Sequence, residues 1–210
     1  MRKIIAVIAA VPMFALVAAA TDVPKMETFL GYNYVRFNPN SDVFPSFNAN
    51  GGGGQFVYNF NKWIGGVVDV GAVTRGSFDN FNVDATVINF VAGPRITYHN
   101  HSRFVPFGQV LFGGAYATAS LPVTVTGGGA IVPPGIILPP IVAARVNASN
   151  TGFAMMAGGG LDIKVSKHIA LRPIGADYYL TRIPSLLTGD TSNRNNFRYS
   201  AGINFLMGAR

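Results

Sequence analysis

From Pro24 onward, apolar and polar residues alternate along the chain with a period of two. Successive side chains of a β-strand point to opposite faces, so this period predicts a strand with two different faces. One face is mostly apolar with aromatic ends, and the other holds charge, amide and glycine: Met26, Thr28, Leu30, Tyr32 and Tyr34 against Lys25, Glu27, Phe29, Gly31 and Asn33. This alternation is typical of a strand that meets lipid on one side.

The alternation recurs, and it predicts eight strands in all. After the segment that starts at Pro24, the predicted strands cover residues 52–58, 64–74, 86–98, 104–118, 152–165, 169–181 and 197–207. The connections are short at 59–63, 99–103 and 166–168, and long at 38–50, 75–85, 119–150 and 182–196. An even number of strands with short periplasmic turns and long outer loops is characteristic of outer-membrane barrels. We therefore predict an all-β fold, an eight-stranded antiparallel up-and-down transmembrane β-barrel.

The stretch "VPPGIILPPIVAA" at residues 132–144 is the most apolar internal segment of the predicted barrel. Its four prolines exclude a membrane-spanning helix and a central strand. We expect a long apolar third extracellular loop at about 119–150. An exposed apolar patch usually marks a contact surface, here with lipid or a protein partner, formed by Ile131, Val132, Ile136, Ile137, Leu138, Ile141 and Val142.

The N-terminal segment has the features of a secretory signal peptide. Arg2 and Lys3 precede an apolar run that ends in Ala18-Ala19-Ala20, a small-residue pattern typical of cleavage. We expect a signal peptide at 1–20 and a barrel domain at 21–210; an uncleaved anchor is the alternative.

The composition favours a membrane protein over a soluble β-fold. Only 12% of residues are charged, against about 25% in typical soluble domains. A soluble lipocalin-like or sandwich fold, the alternative, would turn its polar face to water and need more charge. The chain has no cysteine, and its basic residues are scattered singly, which does not favour a nucleic-acid partner.

Charged residues fall on the predicted inward faces of the strands. An eight-stranded barrel is just wide enough inside to be filled by side chains, and a buried charge needs a partner. We therefore predict a salt-bridge network that fills the lumen, with a conducting pore as the alternative. Glu27 with Arg95 and Asp177 with Arg198 are candidate pairs, and the full set is Lys25, Glu27, Asp69, Arg95, Asp162, Lys164, Asp177 and Arg198.

The three histidines, His99, His101 and His168, all fall in predicted periplasmic turns. A lipid-processing barrel enzyme needs its base near the outer leaflet, so we expect no catalytic residues. His99 and His101 lie two apart, as metal ligands on a strand would, but no carboxylate or cysteine stands beside them. We expect no metal and no cofactor.

Three segments, "NFVAGPRITYHNHSRFVPFGQVLFGGAYA", "GGGLDIKVSKHIALRPIGADYYLTR" and "NFRYSAGINF", resemble the small eight-stranded outer-membrane β-barrel family, OmpA/OmpX-like and assigned to the porin family, of the kind found in acidobacteria. The resemblance implies the outer membrane of a Gram-negative bacterium and no single agreed activity. The long proline-rich third loop departs from the family pattern.

The last predicted strand also resembles the C-terminal aromatic signal that the barrel-assembly machinery reads. Its apolar row is Tyr199, Ala201, Ile203 and Phe205, although "LMGAR" follows where the signal would ordinarily end. The same residues could simply face lipid.

The sequence leaves three functions open. The first is a non-enzymatic structural or adhesion-type scaffold that displays its loops to a surface partner. The second is a narrow porin-like channel for small solutes. A third, a loop-borne lipid hydrolase, would require turnover of lipid A or phospholipid.

Overall fold

The protein forms a closed barrel of eight antiparallel strands in the order of the sequence. The computed structural model describes residues 23–38, 46–78, 81–99, 102–126, 141–183 and 193–209. The strands are β1 (Pro24–Phe37), β2 (Phe47–Asn59), β3 (Ile64–Phe78), β4 (Phe81–Thr97), β5 (Phe104–Thr126), β6 (Ile141–Lys164), β7 (Ile169–Arg182) and β8 (Arg194–Ala209). The predicted fold class is confirmed.

β1 and β8 close the barrel by pairing along most of their lengths, from Pro24 opposite Ala209 to Arg36 opposite Phe197. This closure leaves every strand with a neighbour on both sides, so the barrel wall has no free edge. In the described part of the chain, no helix is long and apolar enough to cross a membrane.

The two faces of the wall differ as the alternation predicts. On β3, Val68 and Val70 are each 52% exposed on the outer face, whereas Val67 and Asp69, which alternate with them, are buried. On β4, Phe90 and Ile96 are exposed, and Val91 is buried. Large apolar side chains on the outside of a closed barrel indicate a lipid-facing surface.

Short turns join the strands at one end of the barrel, which is the periplasmic end in proteins of this architecture. Residues 60–63 connect β2 to β3, and residues 165–168 connect β6 to β7. In the first turn, the side-chain Oδ1 of Asn61 accepts hydrogen bonds from the backbone N–H groups of Trp63 and Ile64, each 2.8 Å long. Asparagine is a preferred turn residue because its side chain makes such local bonds.

At the opposite end, the strands are longer than the sequence predicted. The expected loop at 75–85 is wrong, because β3 continues to Phe78, which pairs with Phe81 of β4. A register shift between Gly76 and Phe78 interrupts the two-residue period there. Because the alternation breaks there, these paired strand residues resemble a loop in the sequence.

The expected third loop at about 119–150 is also wrong over most of its length. β5 continues to Thr126 and β6 begins at Ile141, and the two strands pair up to Thr126 opposite Ile141. Four prolines lie at residues 133–140, whereas the flanking segments contain Pro122 alone, so proline chemistry does not exclude strands in those flanks. Ile141 and Val142 therefore belong to a strand.

The other predicted contact residues of this loop, Ile131, Val132, Ile136, Ile137 and Leu138, lie outside the described residues. The predicted signal peptide at 1–20 lies outside them as well.

The extended β5–β6 hairpin projects past its neighbours. β4 pairs with β5 as far as Ser120, and β7 pairs with β6 as far as Phe153. Among the described residues, 121–126 therefore pair with β6 alone. Six residues of strand extend about 20 Å, so a two-stranded ribbon, here called the β5–β6 ribbon (residues 121–126 and 141–146), stands beyond the barrel wall.

Candidate functional site: the charged lumen and the outer surfaces

Six of the eight charged residues assigned to the lumen are buried, each at most 4% exposed: Glu27, Asp69, Arg95, Asp162, Asp177 and Arg198. They come from β1, β3, β4, β6, β7 and β8, where their positions alternate with lipid-facing residues. The barrel thus brings together charges that are far apart in the sequence.

The two lysines lie elsewhere. Lys25 is half-buried at the start of β1, and its Nζ lies 5.7 Å from the centre of the Tyr58 ring. Lys164 is half-buried at the end of β6 and lines the periplasmic mouth of the lumen with Glu27 and Asp162. Both lysines are therefore peripheral to the buried cluster.

Arg198 joins two carboxylates across the lumen. Its Nη1 donates to Asp69 Oδ1 at 2.9 Å, and its Nη2 donates to Asp177 Oδ2 at 2.8 Å. Asn89 Nδ2 also donates to Asp69, at 2.7 Å. A buried arginine that is shared by two carboxylates keeps its charge compensated in a low-dielectric interior.

Arg95 lies nearer the periplasmic end, with its Nη1 4.0 Å from Glu27 Oε2. Glu27 also accepts hydrogen bonds from Asn59 Nδ2 and Asn204 Nδ2, each 2.8 Å long. The glutamate is thus held mainly by amide donors, and the arginine completes its surroundings.

Arg172 of β7 is a central member of the network that the sequence analysis missed. It is 1% exposed and forms a two-pronged ion pair with Asp162, at 2.7 and 3.0 Å. Asp177 was assigned to the inner face, and strict alternation from it places residue 172 on the outer face. A register shift between Arg172 and Gly175 reverses that phase, and Pro173 and Ile174 are consecutively exposed.

Two glutamines connect these ion pairs into one network. Gln55 Oε1 accepts hydrogen bonds from both Arg95 and Arg172 at 2.7 Å, and Gln55 Nε2 donates to Asp69 at 2.8 Å. Gln109 Oε1 accepts from Arg95 at 2.9 Å, and its Nε2 donates to Asp177 at 3.2 Å. A side-chain amide suits this position because it offers an acceptor to an arginine and a donor to a carboxylate.

Aromatic rings pack against the arginines where carboxylates do not. The Arg95 Cζ atom lies 3.9 Å from the centre of the Phe107 ring. The Arg172 Cζ atom lies 4.3 Å from the same ring centre and 4.2 Å from that of Phe29. Such cation–π contacts stabilise desolvated guanidinium groups, so both phenylalanines belong to the lumen site although neither is polar.

Toward the long-loop end, apolar side chains fill the lumen. Tyr179 of β7 is 1% exposed, and Leu111 and Met156 are fully buried. They belong to a buried apolar cluster that also contains Val35, Phe37, Ala49, Val57, Val67, Val73, Val91, Ala115, Ala154 and Ile183. The lumen is therefore occupied by the charged network together with buried apolar side chains.

At the periplasmic mouth, Glu27, His99, Asp162 and Asn204 line a cavity of about 10 Å³, which is close to the size of one water molecule. His99 Nδ1 donates a hydrogen bond of 2.9 Å to the carbonyl oxygen of Lys62, and its Nε2 lies 3.6 Å from Glu27. His168 is exposed, and His101 lies outside the described residues. Within the described ranges, no three histidine or acidic side chains are grouped to hold a metal ion.

The predicted assembly residues lie on the outer row of β8. Ile203 and Phe205 are 42% and 40% exposed, and Tyr199 and Ala201 are half-buried. Tyr199 donates a hydrogen bond through its hydroxyl group to the carbonyl oxygen of Pro173 on β7. This row alternates with the inward residues Arg198, Ser200 and Asn204.

Two solved structures are similar to this chain in fold. Ail, the attachment invasion locus protein of Yersinia pestis, matches with a TM-score of 0.56 and 15% identity over 87% of this chain and 98% of that chain. Neisserial surface protein A matches with a TM-score of 0.56 and 14% identity over 87% of this chain and 97% of that chain. No curated protein sequence matches this chain.

The family assignment comes from the sequence itself. The profile of a family described as outer membrane protein beta-barrel domain matches residues 5–205, which confirms the resemblance found in the sequence. The chain therefore belongs to the outer membrane protein beta-barrel domain family and is a protein of the outer membrane of a Gram-negative bacterium.

Proposed function

We propose that this protein is a non-enzymatic outer-membrane scaffold whose β5–β6 ribbon contacts a partner at the cell surface. The observation that carries the proposal is the length of the hairpin. β5 has 23 residues and β6 has 24, whereas a barrel strand needs about 9–11 residues to cross the membrane. The surplus lies at the long-loop end, which faces the outside of the cell in this architecture.

The chemistry of the ribbon suits surface contact. In the described part of the chain, both of its outer edges carry backbone groups without a neighbouring strand, because the pairing of β4 with β5 ends at Ser120 and that of β7 with β6 ends at Phe153. Unpaired strand edges are templates for pairing with another chain. The segment 121–126, "LPVTVT", has no charge. Charge repulsion therefore does not prevent this edge from pairing with another chain.

The filled lumen argues against the alternative function of a channel. The network of Arg95, Arg172 and Arg198 occupies the cross-section with its carboxylate partners, and each of these arginines is 1% exposed. An ion that crossed the barrel would have to displace buried, mutually paired charges, and breaking such pairs is costly.

The residue chemistry supports a non-enzymatic role. A loop-borne hydrolase needs a base beside its nucleophile near the outer leaflet. His99 lies at the opposite end of the barrel, where Glu27 and the Lys62 carbonyl occupy its two ring nitrogens.

The outer surface of the barrel supports two further proposed partners. We expect outer-membrane lipid around the apolar outer row, and we expect the barrel-assembly machinery to read the β8 row of Tyr199, Ala201, Ile203 and Phe205. Ail is named for attachment and invasion; at 15% identity that likeness concerns the fold, so the proposal depends on this chain's own ribbon and lumen.

The test compares the full chain with a variant in which residues 122–145 are replaced by Asn-Gly, a two-residue turn that can join the facing residues Leu121 and Val146. Proteoliposomes of each protein are passed over three surfaces. The first is coated with heparin, the second is uncoated polystyrene, and the third is a supported bilayer that contains the same protein. We expect the full chain to be retained on at least one surface and the trimmed variant to be lost from it.

Equal retention of the two proteins on every surface would contradict the proposal, as would retention of neither. Heat-dependent gel mobility in detergent serves as the folding control, because a closed barrel resists unfolding by SDS until it is heated.

A further inference from the structure

The periplasmic rim of the barrel carries exposed cations without acidic partners. Each of the three short turns contributes one basic residue, namely Lys62, Arg103 and Lys167, and all three are exposed. None of them forms an ion pair with another residue of the described ranges. The turns themselves contain no aspartate or glutamate.

Within the described ranges, the acidic side chains nearest these turns are buried in the lumen. Of nine aspartates and glutamates, four are buried in the lumen: Glu27, Asp69, Asp162 and Asp177. The others are Asp22, Asp42, Asp79, Asp84 and Asp190. Among the residues that the structure describes, Lys62, Arg103 and Lys167 thus have no exposed acidic neighbour where the wall meets the inner leaflet.

The first turn presents its cation in a fixed setting. Asn61 holds the turn through its bonds to the N–H groups of Trp63 and Ile64. His99 Nδ1 contacts the carbonyl oxygen of Lys62 at 2.9 Å, and the N–H of Thr97 donates to the carbonyl oxygen of Trp63 at 2.8 Å. Backbone groups on both sides of Lys62 are thus held in place, and its side chain remains exposed.

Two aromatic rings lie beside this lysine on the lipid-facing side. The Trp63 and Tyr98 rings are 5.1 Å apart between centres, and Lys62 Nζ lies 5.8 Å from the Trp63 ring. Trp63 and Tyr98 are 41% and 48% exposed. Tryptophan and tyrosine favour the boundary between hydrocarbon and headgroups, so these rings place the Lys62 ammonium at headgroup depth.

We infer that the periplasmic rim binds anionic phospholipid headgroups, and that Lys62, Trp63 and Tyr98 form the best-defined site. The Lys62 ammonium would contact the lipid phosphate while the two rings pack against the glycerol and upper acyl region. Clustered cations at a membrane surface attract anionic lipids over zwitterionic ones. A carboxylate-bearing cell-wall polymer is a less suitable occupant, because the aromatic pair faces lipid instead of the periplasm.

The test uses Trp63 as the probe, since it is the single tryptophan of the chain. The full chain is folded into equimolar phosphatidylglycerol and phosphatidylcholine, with brominated acyl chains on one lipid or on the other. Bromine quenches tryptophan fluorescence at contact, so the ratio of quenching reports which lipid lies beside Trp63. At low salt we expect phosphatidylglycerol to be enriched about fivefold, the effect of one basic residue at an anionic surface.

Lys62→Gln should bring the quenching ratio close to one, whereas Arg36→Gln should leave it unchanged. Arg36 is an exposed arginine at the other end of β1, so this control removes the same charge at the opposite rim. Raising the NaCl concentration to about 1 M should also abolish the enrichment in the wild-type protein, because the Debye length falls to about 3 Å. This salt test needs no variant to fold.

Equal quenching by the two lipids in wild-type protein at low salt would overturn the inference. So would an enrichment that persists in Lys62→Gln or in high salt. A sedimentation assay with isolated cell wall and detergent-solubilised barrel tests the competing occupant: binding to the wall that depends on Lys62 would also contradict the lipid assignment.

Discussion

At the scale of single residues, Arg198 compensates two buried carboxylates, Asp69 and Asp177. Replacing it by methionine leaves both acids without their cation. We expect Arg198→Met to lower the free energy of unfolding by about 3–5 kcal/mol, measured by urea titration in lipid vesicles. Arg182→Met is the matched control on β7, because Arg182 is exposed, and it should cost less than about 0.5 kcal/mol. Equal effects would refute the role assigned to Arg198.

Inward glycines make room for the large side chains of the network. A Cβ atom added at Gly160 would lie 2.8 Å from Phe107 Cζ and 2.5 Å from the backbone oxygen of Ile174. We expect Gly160→Ala to destabilise the barrel by about 1–3 kcal/mol through overpacking.

The control for that substitution is Gly108→Ala, where the nearest atom to an added Cβ is 3.7 Å away. It should fold with nearly unchanged stability in the same urea titration. A destabilisation at Gly108 as large as at Gly160 would show that backbone effects, and not the space beside Phe107, determine the result.

The residues of the lumen were predictable where the two-residue period is unbroken. Glu27, Asp69, Arg95 and Arg198 could all be placed from alternation alone, and both candidate pairs lie in contact. Arg172 could not, because the register shift beside Pro173 reverses the phase. The hydrogen bonds of Gln55 and Gln109 also depend on which residues of neighbouring strands face each other. The pattern of residues within one strand does not determine that register.

At the scale of elements, the β5–β6 ribbon should be dispensable for folding. Residues 122–145 lie beyond the last pairs that join β5 to β4 and β6 to β7. Replacing them by Asn-Gly should therefore leave membrane insertion and heat-dependent gel mobility intact. Loss of both would show that the ribbon contributes to closure of the barrel.

The outer face of β3 should respond to charge according to depth in the membrane. Val68 lies in the middle of its outer row, and Thr74 lies toward the long-loop end. We expect Val68→Arg to cost about 2–4 kcal/mol and Thr74→Arg about 0–1 kcal/mol, the difference between the bilayer centre and its edge. The free energy of unfolding in lipid vesicles measures both. The account fails here if Thr74→Arg is the more harmful change.

Strand number and the short turns were predictable because seven of the eight predicted strands cover about ten residues or more, and the remaining one, at 52–58, leads directly into a short turn. The lengths of the hairpins at the other end were not. Their residues are rich in glycine, asparagine and proline, which are typical of loops, yet Phe78 still pairs with Phe81 and Thr126 with Ile141. Tertiary pairing in the hairpin overrides these local preferences.

At the scale of the whole molecule, closure of the wall and filling of the lumen work together. The wall satisfies its backbone groups by pairing around the ring, and the interior satisfies its charges through side chains from all eight strands. Such a barrel is a rigid support in the membrane. The two proposed contact surfaces are then the β5–β6 ribbon at one end of the barrel and the cationic rim at the other end.

The most direct test of this account is planar-bilayer recording from the purified, folded protein. The barrel with its intact Arg95, Arg172 and Arg198 network should give no steady, step-like current at moderate voltage. Uniform current steps that appear with folded protein and disappear after heat unfolding would contradict the account, because ions would then cross a lumen that the structure shows filled by side chains.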